Sequence, residues 1–171
     1  MATDGVNSRV GGLIAATVAL AVDQFAKWFV TYPLELRNRE VIDVLPIFSL
    51  RWAENLGVSM SLFQADGRLG RWALLATTSA IAATVAVWLW RDRSRLSAMA
   101  LGLILGGALG NIADRLRLGH VVDFVDLHFG DWRPFLIFNT ADCMISIGVT
   151  VLLLRAWLSS ETRSQAQPHP S

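Results

Sequence analysis

The chain has 171 residues, 53% of them hydrophobic, a mean hydropathy of +0.44 and a formal net charge of +1. Soluble domains carry about 45–50% apolar residues, so the excess, gathered into a few stretches, reads as an integral membrane protein, and the near-zero charge argues against a nucleic-acid partner. A single cysteine, Cys143, excludes an intramolecular disulfide and any zinc site built on several thiolates, and fourteen of the fifteen basic residues are Arg, which leaves Lys27 as the only lysine.

The N-terminal "MATDGVNSRV" has little of the basic region of a signal peptide. The stretch after it, near 11–31, is apolar but carries Asp23 and Lys27, so it is expected to be a retained span. Those two residues are one helical turn apart and are expected to pair. The segment 41–52, "VIDVLPIFSLRW", is β-branched, aromatic and broken by Pro46, and predicts two short strands. "AENLGVSMSLF" follows as a loop with Gly57. Further spans are expected near 70–90, 97–116 and 135–157. The expected architecture is an all-α integral membrane protein of four transmembrane helices with a small strand-rich extracytoplasmic segment. Residues 1–158 form one membrane-embedded domain, and 159–171 read as a polar, disordered cytoplasmic tail. The linker "RDRSR" places three arginines in five residues between spans two and three, which puts it and both termini on the cytoplasmic side. The seven tryptophans mostly flank the spans, as an interfacial belt does.

With this orientation Asp23 and Lys27, Asn111 and Asp114, and Asn139 and Asp142 all fall towards the outer ends of their spans. An ionised side chain within a span costs about 3 kcal/mol on insertion scales, so such residues face the bundle interior or water. In span four, Asn139, Asp142 and Ser146 are spaced i, i+3, i+7 and share a face. Asn139 and Ser146 fit a structural hydrogen-bond cluster as well as a functional one. An ionisable Asp142 is more than gluing helices requires. In span three, Gly102, Gly106 and Gly110 leave a smooth face for a neighbouring helix. Arg115 has Asp114, another carboxylate or a lipid phosphate as alternative partners.

Asp123, in "VVDF", lies between apolar neighbours and can fold back towards Asp142 through the turn "GDWRP"; Asp126 and Asp131 read as solvated. Two facing carboxylates split their pKa values and share a proton near neutral pH. One takes a proton from water while the other polarises a carbonyl, which is peptide hydrolysis without metal or covalent intermediate. There is no His-Glu-x-x-His zinc motif and no Gly-x-Ser-x-Gly elbow. His120, Asp123 and His128 make only a weak metal set, and a Ser–Lys dyad through Lys27 is disfavoured because Asp23 holds the lysine protonated.

Four blocks in order, "DQFAK", "ENLGVSMSLF", "GGALGNIADRLRLGHVVDF" and "FNTADCMI", make residues 11–157 resemble the lipoprotein signal peptidase (signal peptidase II) family of bacteria. The resemblance implies an aspartic endopeptidase of the inner membrane. It implies substrates that are prolipoproteins with a diacylglyceryl-modified cysteine, cut on the amino side of that cysteine. The family's catalytic pair matches Asp123 and Asp142. Its supporting positions match Asp23, Lys27, Asn55, Gly57, Asn111, Asp114, Arg115 and Asn139. Globomycin is the family's inhibitor type, no cofactor is implied, and one site per chain makes a monomer sufficient. Met60 stands where the family often has Phe, and the loop "ENLGVSMSLF" is expected to close over substrate. Two other readings are a small proton-coupled transporter, since intramembrane acids mark proton paths, and a non-catalytic scaffold. Neither internal repeats nor broken helices of the transporter kind are visible in the sequence.

Overall fold

The computed structural model describes residues 2–57 and 68–165. In chain order these form α1 (Ala2–Thr31), the one-turn helix α2 (Leu36–Arg39), β1 (Val41–Leu45), β2 (Phe48–Asn55), α3 (Arg68–Arg91), α4 (Arg95–Arg117), β3 (Val121–Leu127) and α5 (Thr140–Gln165). Four helices are long and apolar enough to cross a bilayer, over Val6–Thr31, Gly70–Arg91, Arg95–Arg117 and Thr140–Ser160.

Helix α4 is the hub, packing against α1, α3 and α5. Its glycines make this possible. A methyl group at Gly102 or Gly106 would overlap the carbonyl oxygen of Gly12 or Ala16 on α1, and one at Gly107 would stand 2.6 Å from that of Ala141 on α5. Two faces of one helix are thus smooth enough for backbones to touch. At the end of the bundle holding the α3–α4 linker, Ser8 donates to the Arg93 carbonyl at 2.8 Å and Arg9 to that of Trp90 at 2.9 Å.

The three strands form one antiparallel sheet in the order β1-β2-β3 at the opposite end. The two strands expected in 41–52 are present, and β2 continues to Asn55. The third, β3, pairs with β2 from Phe48↔Leu127 to Asn55↔Val121. Val122 and Phe124 of β3 join Val30 and Leu36 in a buried cluster that seats the sheet on the end of α1.

Two expected boundaries move. Span four starts at Thr140 rather than near 135, because Phe138 bridges back to Val125 and Asn139 caps the helix instead of entering it. At the other end α5 runs to Gln165, so residues 159–165 are helical rather than a disordered tail. A helix already nucleated in the membrane extends at low cost through residues such as Glu161 and Arg163. Residues 58–67, with Met60 and most of the expected closing loop, and residues 166–171 lie outside the described residues.

Candidate active site

The sequence "NTAD" at 139–142 builds a reciprocal cap at the start of α5. The Asp142 N–H donates to Asn139 Oδ1 at 3.0 Å, and the Asn139 N–H donates to Asp142 Oδ2 at 3.2 Å. This is a capping box, satisfying two backbone donors that a helix start leaves over. It fixes the Asp142 carboxylate at the positive end of the helix dipole. The other carboxylate oxygen accepts from Asn111 Nδ2 on α4 at 3.1 Å. Asp142 itself is only half-buried.

Asp123 sits in β3 opposite Ala53 and is 2% exposed. Asn55 Nδ2 donates to its Oδ2 at 2.9 Å, and Asn139 Nδ2 donates to its Oδ1 at 2.5 Å. Asn139 therefore touches both carboxylates, one through its side chain and one through its backbone. Burial pushes the Asp123 carboxyl up to about 6, against the two asparagine hydrogen bonds; Asp142 adds to the rise and Lys27 opposes it. Between the ordinary carboxylate value and about 6 the folded chain holds a proton that the unfolded chain has lost. Ionising Asp123 therefore costs stability as pH rises through that window.

Below the pair lies a buried ionic floor. Lys27 Nζ is 2.8 Å from Asp23 Oδ2, 2.8 Å from Asp114 Oδ2 and 2.9 Å from Asn111 Oδ1. Asp23 is a cap in trans: its Oδ1 accepts from the Ala141 N–H and the Thr140 hydroxyl, both at 2.9 Å. A carboxylate on α1 thus holds the start of α5. Gln24 donates to Asp114 Oδ1 at 3.1 Å and to the Gly110 carbonyl at 3.2 Å, and it accepts from Arg117.

The expected Asp23–Lys27 pair is present. Asp114, for which Arg115 was one possible partner, instead binds Lys27 and Arg117, while Arg115 Nη1 donates to the Asn111 carbonyl at 3.5 Å. Arg115 Nε is buried and has no partner among the described residues. Its charge interacts with Asp123, Asp142 and Asp114. Gly57 has φ +91°, and a side chain there would collide with Leu74. Ser146 is exposed and takes no part. Asp126 is not solvated: it is 1% exposed and holds Arg51 at 2.8 Å and Arg133 at 3.2 Å. Burial opposes its ionised form, but the two arginine hydrogen bonds carry its carboxyl below the usual range. Gln24, Thr140 and Arg117 are members of the site that sequence reading missed. Gln24 directly follows Asp23 and Thr140 follows Asn139, so adjacency was the available signal.

The signal peptidase (SPase) II family model matches residues 15–158 of the chain. A lipoprotein signal peptidase of Sphingopyxis alaskensis is 52% identical over 94% of this chain and 92% of its own length. One of Rhizorhabdus wittichii is 49% identical over 91% of each. A solved bacterial membrane enzyme superposes with a TM-score of 0.73 at 23% identity, over 93% of this chain and 94% of that one, which shows a shared fold. A match over most of the chain, together with relatives near half-identical along almost their full length, means that the chain belongs to the signal peptidase II, or lipoprotein signal peptidase, family.

Proposed function

We propose that this chain is a membrane aspartic endopeptidase that removes the signal peptide from diacylglyceryl-modified prolipoproteins, cutting on the amino side of the lipidated cysteine. The observation that carries the reading is that Asn139 hydrogen-bonds both Asp123 and Asp142, which come from a strand and a helix on either side of the 128–138 segment. The pair works with one shared proton. The ionised carboxylate takes a proton from water as that water attacks the scissile carbonyl. The protonated carboxyl donates to the carbonyl oxygen, giving a gem-diol; as the C–N bond breaks, the carboxyl that took water's proton passes it to the departing amine, and the other takes its proton back from a gem-diol hydroxyl. Asn55, Asn111 and Asn139 hold the carboxylates. Asp23, Lys27 and Asp114 hold the helices that carry them, Gly57 shapes the turn above, and the Arg115 guanidinium sets a positive charge near both carboxylates.

The arginine-rich α3–α4 linker belongs on the cytoplasmic side of the bacterial inner membrane. Both termini then share that side, and the sheet and the dyad face outward, where a lipid-anchored substrate is presented. Globomycin-type inhibitors occupy the same site in this reading, and one dyad per chain makes a monomer sufficient.

The test is purified protein in detergent with a diacylglyceryl-modified prolipoprotein and its unlipidated counterpart. The lipidated substrate is expected to lose its signal peptide, leaving the modified cysteine as the new N-terminus by mass spectrometry. No release, or equal release from both substrates, overturns the reading. The pH profile adds a second check. kcat/KM is expected to fall as pH rises through about 6, where Asp123 loses the shared proton and the pair is left without its acid. Asn55→Ala removes a bond that favours the ionised form, so its alkaline limb is expected to move to higher pH. A limb that stays put in that variant would separate Asn55 from the titrating pair.

A further inference from the structure

Asp126 is a buried acid outside the dyad, three residues along β3 from Asp123. Its two cations come from different elements. Arg51 lies on β2, inside the sheet, and Arg133 lies in the segment 128–138 that returns from β3 to α5. Both bind the same oxygen, Asp126 Oδ2.

Beyond its first residue, His128, which is tied to Ile47 and Ser49 where the segment leaves the sheet, the return segment is otherwise held to β3 at one place among the described residues. The Phe138 N–H donates to the Val125 carbonyl at 3.1 Å, and the Phe138 carbonyl accepts from Phe124 and Val125 at 3.0 and 2.8 Å. A single bridge fixes a point but leaves the segment free to pivot. The next residue is Asn139, which spans the two carboxylates. A pivot at Phe138 therefore moves Asn139 and the start of α5 relative to Asp123.

We propose that Asp126 and Arg133 form a clamp that supplies the second fixed point and so sets how closely Asp142 approaches Asp123. Asp126 and Arg133 are positioning residues; neither touches the reacting atoms. The proposal rests on the dyad reading above. Arg51 is the built-in control, because it binds the same carboxylate oxygen without touching the return segment.

Two measurements test the clamp, one of them independent of turnover. The first is kcat and KM on the lipidated prolipoprotein for Arg133→Gln, Arg133→Lys and Arg51→Gln, with thermal unfolding of each. Sub-ångström misplacement of reacting groups costs rate rather than binding. Arg133→Gln is expected to lower kcat by about 10-fold with KM within about twofold. Arg133→Lys is expected to restore most of the loss, while Arg51→Gln keeps kcat near wild type despite a comparable drop in melting temperature. The second is amide hydrogen exchange at Phe138 and Asn139, expected to speed up in Arg133→Gln and not in Arg51→Gln. Equal kcat losses in the two Gln variants, or unchanged exchange at Phe138 in Arg133→Gln, overturn the clamp. Wild-type protein that fails to cleave, with exchange responding as expected, overturns the dyad reading and leaves the clamp as a purely structural one.

Discussion

Asp123→Asn and Asp142→Asn are each expected to reduce prolipoprotein cleavage by about 10³-fold or more while leaving the protein folded. A positioned acid or base contributes roughly 10²–10⁴-fold, and in the proposed mechanism each carboxyl plays both parts in one cycle. Asn keeps the size and one acceptor oxygen. At position 142 that oxygen can still accept the Asn139 N–H, so the cap on α5 survives. At position 123 one of the two asparagine donors loses its partner, a loss of about 1 kcal/mol. Removing a buried charge offsets part of it. The double variant is expected to be no slower than either single one, because groups that act as a unit do not add. Single-turnover rates on lipidated substrate, with unfolding curves alongside, measure this. Either single variant cleaving within about tenfold of wild type would remove that carboxylate from the dyad.

Lys27→Met is expected to be the most destabilising single change at the site. Lys27 is 4% exposed, and its ammonium lies between Asp23 and Asp114, which are 0% and 1% exposed. Met keeps the length of the side chain and removes the charge, leaving two buried carboxylates near each other. Removing one partner of a buried ion pair typically costs about 3–5 kcal/mol, most of it from the charge left behind. Adding Asp114→Asn to Lys27→Met is expected to recover part of that loss. Asp23 then remains as the single acid, still satisfied by the start of α5. Lys27→Arg is not expected to substitute, because a planar guanidinium does not fit three partners gathered around one nitrogen. Unfolding in detergent across this cycle gives the coupling. Additive losses would mean that the lysine and Asp114 do not depend on one another.

What was legible in the sequence followed from the membrane. Apolar length marked the four helices, and the cost of charge in lipid marked Asp23, Lys27, Asp114 and Asp142 as residues with partners. The glycine spacing on α4 announced its close neighbours. What was hidden depended on pairings between distant elements. Asp126 looked solvated because nothing nearby in sequence shows that Arg51 and Arg133 converge on it. Asp114 has Arg115 beside it, yet adjacent residues on a helix point apart, so Lys27 on another helix pairs with it instead. Residues 135–139 continue the apolar run of α5, and hydropathy could not show that they belong to a strand-like return. Asn139 at the helix start was the local sign of the true boundary.

The capping of α5 by Asp23 also bears on biogenesis. The acid and the amide it holds, that of Ala141, are 118 residues apart. Asp23 has Lys27 one turn away on the same helix, so the first helix carries the partner for its own acid. The acid's second role waits for the last helix to emerge from the ribosome. The nascent chain therefore passes most of its synthesis with no assembled site, and arrival of the final helix both closes the bundle and brings the second carboxylate. In the proposed dyad reading, a chain organised this way has no complete carboxylate pair until α5 is in place.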